Sequence, residues 1–555
     1  MSGMAGPAAV DDIISQFDLS STALQTITDH FVSQLKLGLL DSNLPFQLPA
    51  FVTAIPDGTE TGRFLSVDLG GTNCRICMVD LHGHGSFSVV QEKHTVPRYV
   101  MVNSRYDPLF SWLAAQIGTF AQAQKLFPQA GSDAATKDRK VPLGFTFSFT
   151  CDQVSLASGT LLHWDKGWDI PSALGRDPCQ LLQEALDSAN IPVRVTALAN
   201  DSVGTLLAQA YTSGGQQATT AKTLAGMIVG TGTNAAYVER LRHVKRHGVE
   251  AERASLDDVM IINTEWGCLD DSLIVLPRTR FDDELDAHST DRGSQMLEKR
   301  VSGMYLGELF RLAVEELYRL NNVFDFVVAD NSTLLRMAGV DSSLLSLLAD
   351  SSLDDEAKTK LVATTLALQD TSSKDLAILQ RISAAIMTRA ARLVGAALAA
   401  IVIQSGHLGD GVHVDESSPS PSPSFPKTVA DDSKFYLGTL EPPNLGRNKE
   451  RRNSASPAEA ESSIVPPPKS THNLHLSAVQ GDGRTQTREA DTIDIGVTGS
   501  VIEYYPTFEA EMRAALQEIS GIGPQGEKRI RAGVCKDGSA VGAALMAQAA
   551  LSTKD

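Results

Sequence analysis

The sequence predicts an α/β enzyme built as two lobes, and three observations carry that reading. At 555 residues the chain exceeds the length at which a single core keeps growing, so two domains are the default. Two glycine-threonine turns, Asp68-Leu69-Gly70-Gly71-Thr72-Asn73 and Gly230-Thr231-Gly232-Thr233-Asn234, each lie between two runs of strand type. Between them in sequence, the strand-like Val195–Ala199 ends at Asn200-Asp201 and leads into a helical run, Val203–Tyr211. Paired turns of this kind suggest a phosphate clamp, in which successive N–H groups and a threonine hydroxyl point at phosphate oxygens, with glycine expected to admit positive φ. They are neither a P-loop nor a dinucleotide fingerprint, because each leads into a second strand rather than a helix.

Taken in order, residues 1–19 are expected to be a flexible N-terminus. Leu24, Ile27, Phe31 and Leu35 then repeat at helical spacing, with Gly38 just beyond the stripe. Phe64–Val67 reads as the strand before the first turn, and Cys74 and Cys77 lie on the strand after it, where residues three apart face opposite sides. Residues 143–150 alternate as a strand would, and the loop 159–168 places Lys166 between Trp164 and Trp168. Asn200 and Asp201 are equally what a plain helix N-cap would use. Leu393–Ile403 is too short to span a bilayer and reads as a buried helix. From 410 to 490, Ser-Pro repeats and Pro466-Pro467-Pro468 read as a disordered insertion. Ordered patterning resumes at Ile493 and ends with Lys536-Asp537-Gly538-Ser539, which opens an alanine-rich helix.

A net charge of −18 and a pI near 5.1 exclude an extended nucleic-acid surface or a basic membrane anchor, since both need clustered lysine and arginine. The six cysteines are scattered rather than arranged as a disulfide framework, and no secretory signal opens the chain, so a reducing cytosol is expected.

In their order along the chain, Leu65–Arg75, Leu143–Phe149, Trp164-Asp165-Lys166-Gly167, Asn200-Asp201, Gly230–Tyr237, Asn263–Gly267, Gln295–Lys299 and Glu503-Tyr504-Tyr505-Pro506 resemble the eukaryotic hexokinases, in particular the fungal glucokinase type. The resemblance runs from about residue 20 to 551, apart from the 410–490 insertion. It implies a duplicated ribonuclease-H-like fold of the actin and sugar-kinase kind, with an N-terminal domain over 20–211 and a C-terminal domain over 218–551 closing on a ligand cleft. The activity it implies is transfer of phosphate from ATP, with Mg²⁺, to the 6-hydroxyl of a hexose such as glucose; a catalytically weak sugar sensor is the alternative. Asp201 would be the base, with Lys166 and Arg75 beside the transferring phosphoryl group. Ser148, Asn200, Asn234, Glu265, Gln295 and Glu298 would hold the sugar with Asp201. Asp68, Gly70, Gly71, Thr72, Asn73, Thr231, Gly232, Gly499, Ser500 and Ser539 would lie along the nucleotide, with the metal held mainly by ATP phosphates near Asp68.

Those residue types suit the chemistry independently. Phosphoryl transfer needs in-line positioning and charge neutralisation, and a ring of sugar hydroxyls pairs well with carboxylates and carboxamides. The chain departs from the family pattern at Thr150, Asp165, Thr498 and Ala540. Asp165 stands beside Lys166 and is expected to offset part of its charge. Within 415–460, Arg451-Arg452-Asn453-Ser454 and the Ser-Pro pairs resemble protein-kinase sites.

Overall fold

A computed structural model describes residues 6–127, 140–164, 167–215, 222–246, 255, 258–320, 322–408 and 492–552. The expected insertion at 410–490, the kinase-like sites within it, and Asp165 and Lys166 lie outside the described residues.

Among the described residues there are fifteen strands: β1 (Leu48–Pro49), β2 (Thr61–Leu69), β3 (Asn73–Gly83), β4 (Ser86–Thr95), β5 (Val141–Phe147), β6 (Cys151–Ser155), β7 (Ser158–Leu161), β8 (Val193–Ala199), β9 (Lys222–Val229), β10 (Thr233–Arg240), β11 (Val259–Asn263), β12 (Val327–Val328), β13 (Leu368–Gln369), β14 (Ile493–Thr498) and β15 (Ile530–Val534). They form two principal sheets of one design. In the first, ordered β4-β3-β2-β5-β8, three antiparallel strands are followed by two parallel ones. In the second, β11-β10-β9-β14-β15 repeats that order and pairing, with β1 added outside β11. The duplicated ribonuclease-H-like architecture is this repetition. Each glycine-threonine turn occupies the corresponding place, between β2 and β3 in the first sheet and between β9 and β10 in the second.

Two helices carry the joint between the sheets. The helix Asp201–Gly214 packs on β9 and β14, and Gly538–Ser552 packs on β2, β5 and β8; the two helices also pack on each other. Their approach is set by missing side chains. A Cβ at Gly542 would sit 2.1 Å from the Cα of Gly204, and one at Gly144 of β5 would sit 2.1 Å from the carbonyl oxygen of Ala543. A joint core of Ala197, Val203, Ala236, Ile261 and Val541 lies between the two lobe cores. Burying such surface yields roughly 25 cal/mol per Å².

Local expectations largely hold. The predicted stripe is the helix Ser21–Gly38, whose Leu24, Ile27, Phe31 and Leu35 are all buried. Cys74 and Cys77 enter two different cores, so the Cys-x-x-Cys spacing does not pair them; burial pushes the Cys77 thiol up to about 12. The apolar run at 393–403 belongs to a 33-residue helix, Ser373–Ser405. By length and composition alone that helix could cross a membrane, but its most apolar window is 83% buried within the protein. Two expectations are corrected. The N-terminal stretch is not flexible throughout, because Gly6–Ser15 is helical and Val10, Ile13 and Phe17 are buried against the large core. Positive φ is also absent from Gly70, Gly71, Gly230 and Gly232; among the glycines predicted for the site, only Gly499 has it, at φ 125°.

Candidate functional site

The two turns, the Asn200-Asp201 junction and the β14 end converge on one cleft of about 750 Å³. Every sequence-predicted site residue within the described part lines it: Asp68, Gly70, Gly71, Thr72, Asn73, Arg75, Ser148, Asn200, Asp201, Thr231, Gly232, Asn234, Glu265, Gln295, Glu298, Gly499, Ser500 and Ser539. Lys166 alone among the predicted residues is outside the described part.

The geometry follows from local backbone chemistry. Asn200 caps its helix, accepting from the backbone N–H of Ser202 at 2.9 Å, so the plain N-cap reading and the cleft-lining reading are both satisfied at that residue. Asp201 begins the helix and faces Ser148, whose hydroxyl donates to it at 3.5 Å. From there a line of carboxamides crosses the floor. Asn234 Nδ2 donates to Asn200 Oδ1 at 3.3 Å and to Asn263 Oδ1 at 2.8 Å, and Asn263 Nδ2 donates to Glu265 at 2.7 Å. Glu298 accepts the backbone N–H of Thr233 at 2.9 Å, tying a carboxylate to the second turn. Glu265 and Gln295 both hold left-handed backbone, at φ 48° and 56°. Such strain is concentrated at functional sites.

The turns are held from behind. Gly230 and Thr231 offer their carbonyls to the N–H groups of Gly303 and Met304, at 2.7 and 3.1 Å. A trans peptide sets each carbonyl opposite the following N–H, so Thr231 and Gly232 turn theirs away from that helix. Arg75 donates to Asp68 at 2.6 Å. Burial disfavours the Arg75 charge, but the field and hydrogen bond of Asp68 outweigh it and raise its pKa. Among the described residues no three His, Cys, Asp or Glu gather as a metal cage. Asp68 beside the first turn, already bonded to Arg75, fits a metal ion that arrives on a nucleotide rather than one caged by the protein.

Sequence reasoning missed several cleft residues. Lys93 and Gln91 of β4 reach the cleft, Lys93 lying opposite Arg75 in the strand register. Asn263 bridges Asn234 to Glu265, and its place in the Asn263-Thr264-Glu265 run was the available signal. Met304 also lines the cleft, and so does Thr498, which the sequence had singled out only as a departure from the family pattern.

Two family profiles described as hexokinase match this chain, one over residues 9–211 and the other over 224–434 and 473–549. The chain belongs to the hexokinase family. It is 37% identical to a glucokinase of Aspergillus niger, over 96% of this chain and 95% of that protein. Glucokinase-1 of Saccharomyces cerevisiae is 33% identical, with 97% and 96% covered. Among solved structures, a hexokinase from Schistosoma mansoni complexed with glucose superposes with a TM-score of 0.71, at 26% identity, over 98% of this chain and 100% of that one.

Proposed function

We propose that this hexokinase-family protein transfers the γ-phosphoryl group of ATP to the 6-hydroxyl of glucose. The observation that carries the reading is the placing of the Asp201 carboxylate in the cleft bordered by both glycine-threonine turns and by the carboxamide line ending at Glu265. In this reaction Asp201 accepts the proton of the sugar 6-hydroxyl as that oxygen bonds to the γ-phosphorus; the bond from phosphorus to the β–γ bridging oxygen breaks, and ADP leaves. Ser148, Asn200, Asn234, Glu265, Gln295 and Glu298 orient the sugar, with Asn263 holding two of them. The N–H groups of Thr72, Thr231 and Gly232, with Arg75 and Lys93, face the phosphates, and the family resemblance assigns Lys166 to the transferring phosphoryl group. Mg²⁺ carried on the nucleotide would supply charge neutralisation for the phosphates, with Asp68 as the protein carboxylate beside it. Gly499, Ser500 and Ser539 border the rest of the nucleotide.

We read 20–211 and 218–551 as the two domains that close around these ligands, excluding water as a competing acceptor. Six free cysteines fit a reducing compartment, and the cytosol is the proposed location. Kinase-type modification within 415–460 stays a proposal from sequence.

The test is glucose-dependent ADP formation by the purified protein and by Asp201→Ala. Turnover lost in the variant, with glucose-induced thermal stabilisation retained, is the expected result. ADP formation that ignores glucose, or that survives Asp201→Ala undiminished, would overturn the assignment.

A further inference from the structure

The two turns are anchored differently. The carbonyls of the second are held by backbone N–H groups of Gly303 and Met304, whereas in the first the Gly71 carbonyl accepts from a side chain, the indole N–H of Trp168, at 2.6 Å. The neighbouring Thr72 carbonyl accepts from Val96 N at 3.0 Å. Because the peptide is planar and trans, the direction of the Gly71 carbonyl sets that of the Thr72 N–H, and Trp168 lies in the core of the small lobe while Thr72 lines the cleft. We propose that Trp168 is a positioning residue for the nucleotide: its indole N–H fixes the plane of the Gly71–Thr72 peptide and so aims the Thr72 N–H at a phosphate oxygen.

The surroundings make the indole a rigid support. Trp168 is 5% exposed, stacks on Trp164 with ring centroids 5.4 Å apart, and meets the Phe149 edge at 5.1 Å. The next residue, Asp169, exchanges backbone hydrogen bonds with Met101 and Asn103 at 2.9 and 3.0 Å, which pins the segment to the chain after β4. Phe149 lies between Ser148 and Thr150 on the cleft wall, so one aromatic group supports both the sugar strand and the phosphate turn. Trp164 makes the contrasting bond: its indole N–H goes to the Ile170 carbonyl at 3.0 Å, away from the turn. A buried indole N–H needs an acceptor, and either ring would lose a comparable bond on change to phenylalanine.

The inference rests on the glucose-phosphorylating reading and is tested beside it. Trp168→Phe keeps the ring but removes the donor. Its KM for MgATP is expected to rise about tenfold, the effect of losing one buried hydrogen bond, with the KM for glucose within about twofold of wild type. Trp164→Phe is expected to lose similar thermal stability and keep the wild-type KM for MgATP. An unchanged KM in Trp168→Phe, or an equal rise in both variants, would overturn the proposal. Should Trp168→Phe not fold, hydrogen exchange at the four ¹⁵N-labelled indoles of the wild-type protein decides it. The Trp168 signal is assigned by elimination with Trp112→Phe, Trp164→Phe and Trp266→Phe, because the Trp266 indole bonds Thr233 of the second turn; slowing of the Trp168 indole by MgADP supports the role, and no response there refutes it. If the protein shows no glucose-dependent turnover, the functional reading fails alone, and calorimetric titration of both variants with MgADP still judges Trp168 by the same contrast.

Discussion

Gly542→Ala tests the joint between the lobes, and the neighbouring Gly204→Ala is its internal control. The added Cβ at Gly542 would meet Gly204 backbone atoms at 2.1, 2.4 and 2.5 Å. Backbone cannot rotate aside as a side chain can, so the two helices have to part by roughly 1 Å to restore ordinary contact near 3.4 Å. Overpacking of this kind costs about 1–3 kcal/mol, and relief on this scale lies at the upper end, about 3. Alanine returns about 1 kcal/mol in helix propensity, leaving a net loss of about 2 kcal/mol. At Gly204 the same methyl would stand 3.1 Å from the Gly538 carbonyl and the Ser539 Cα, a strain of tenths of an ångström. There the propensity gain is expected to cancel the strain to within about 0.5 kcal/mol. Denaturant unfolding of the two variants reads the difference, and the KM for MgATP reads its effect at Ser539 on the shifted helix. Equal losses in both, or a neutral Gly542→Ala, would refute the close-approach argument.

Asp271 accepts the backbone N–H of Met296, next to the cleft residue Gln295, and burial lifts its pKa from 3.8 to about 6. A raised carboxyl contributes stability fully below the unfolded value and loses it as pH rises through about 6. Wild-type stability, measured against Asp271→Asn, should therefore fall by at most about 3 kcal/mol from pH 4 to pH 7, and a parallel pair of pH curves would contradict this. His163, on the loop after β7, pairs with Asp291 at 3.3 Å, and Asp291 lies shortly before the cleft residue Gln295. The histidine is exposed, so His163→Ala should weaken glucose binding by at most about fivefold in calorimetry. Lys93→Met should raise the KM for MgATP by up to about fivefold at low salt, and less as ionic strength rises; a salt-independent effect would exclude a charge contact.

Local chemistry made much of this molecule legible. The stripe at Leu24, Ile27, Phe31 and Leu35 and the strand-to-helix junction at Asn200-Asp201 are period and capping signals that need no knowledge of distant contacts. Lys93 could not be found that way, because only the β3–β4 register brings it opposite Arg75. The helix at Gly6–Ser15 was obscured by Gly6 and Pro7 at its start, and it is held by packing of Val10 and Ile13 on a core assembled mostly from much later residues. Positive φ at the turn glycines was a mistaken expectation, although the turns themselves do line the cleft. At Gly230 the gain is room, since a Cβ would stand 3.1 Å from the Gly499 Cα. The roles of the sugar residues came from the family resemblance, and periodicity alone would have left Glu265 and Glu298 as ordinary surface glutamates.

The carboxamides across the cleft floor have a polarity that no ligand can reverse. The Ala235 backbone N–H can only donate, and it points at Asn234 Oδ1 at 2.8 Å, which obliges Asn234 Nδ2 to face Asn263 Oδ1 and leaves the Asn263 amine for Glu265. From Asn234, donors run to Asn200 on one side and through Asn263 to Glu265 on the other, where they end on a carboxylate. A hydroxyl resting on that carboxylate has to give its hydrogen and receive from elsewhere, so an epimer that inverts this sense leaves like poles facing each other in a desolvated place.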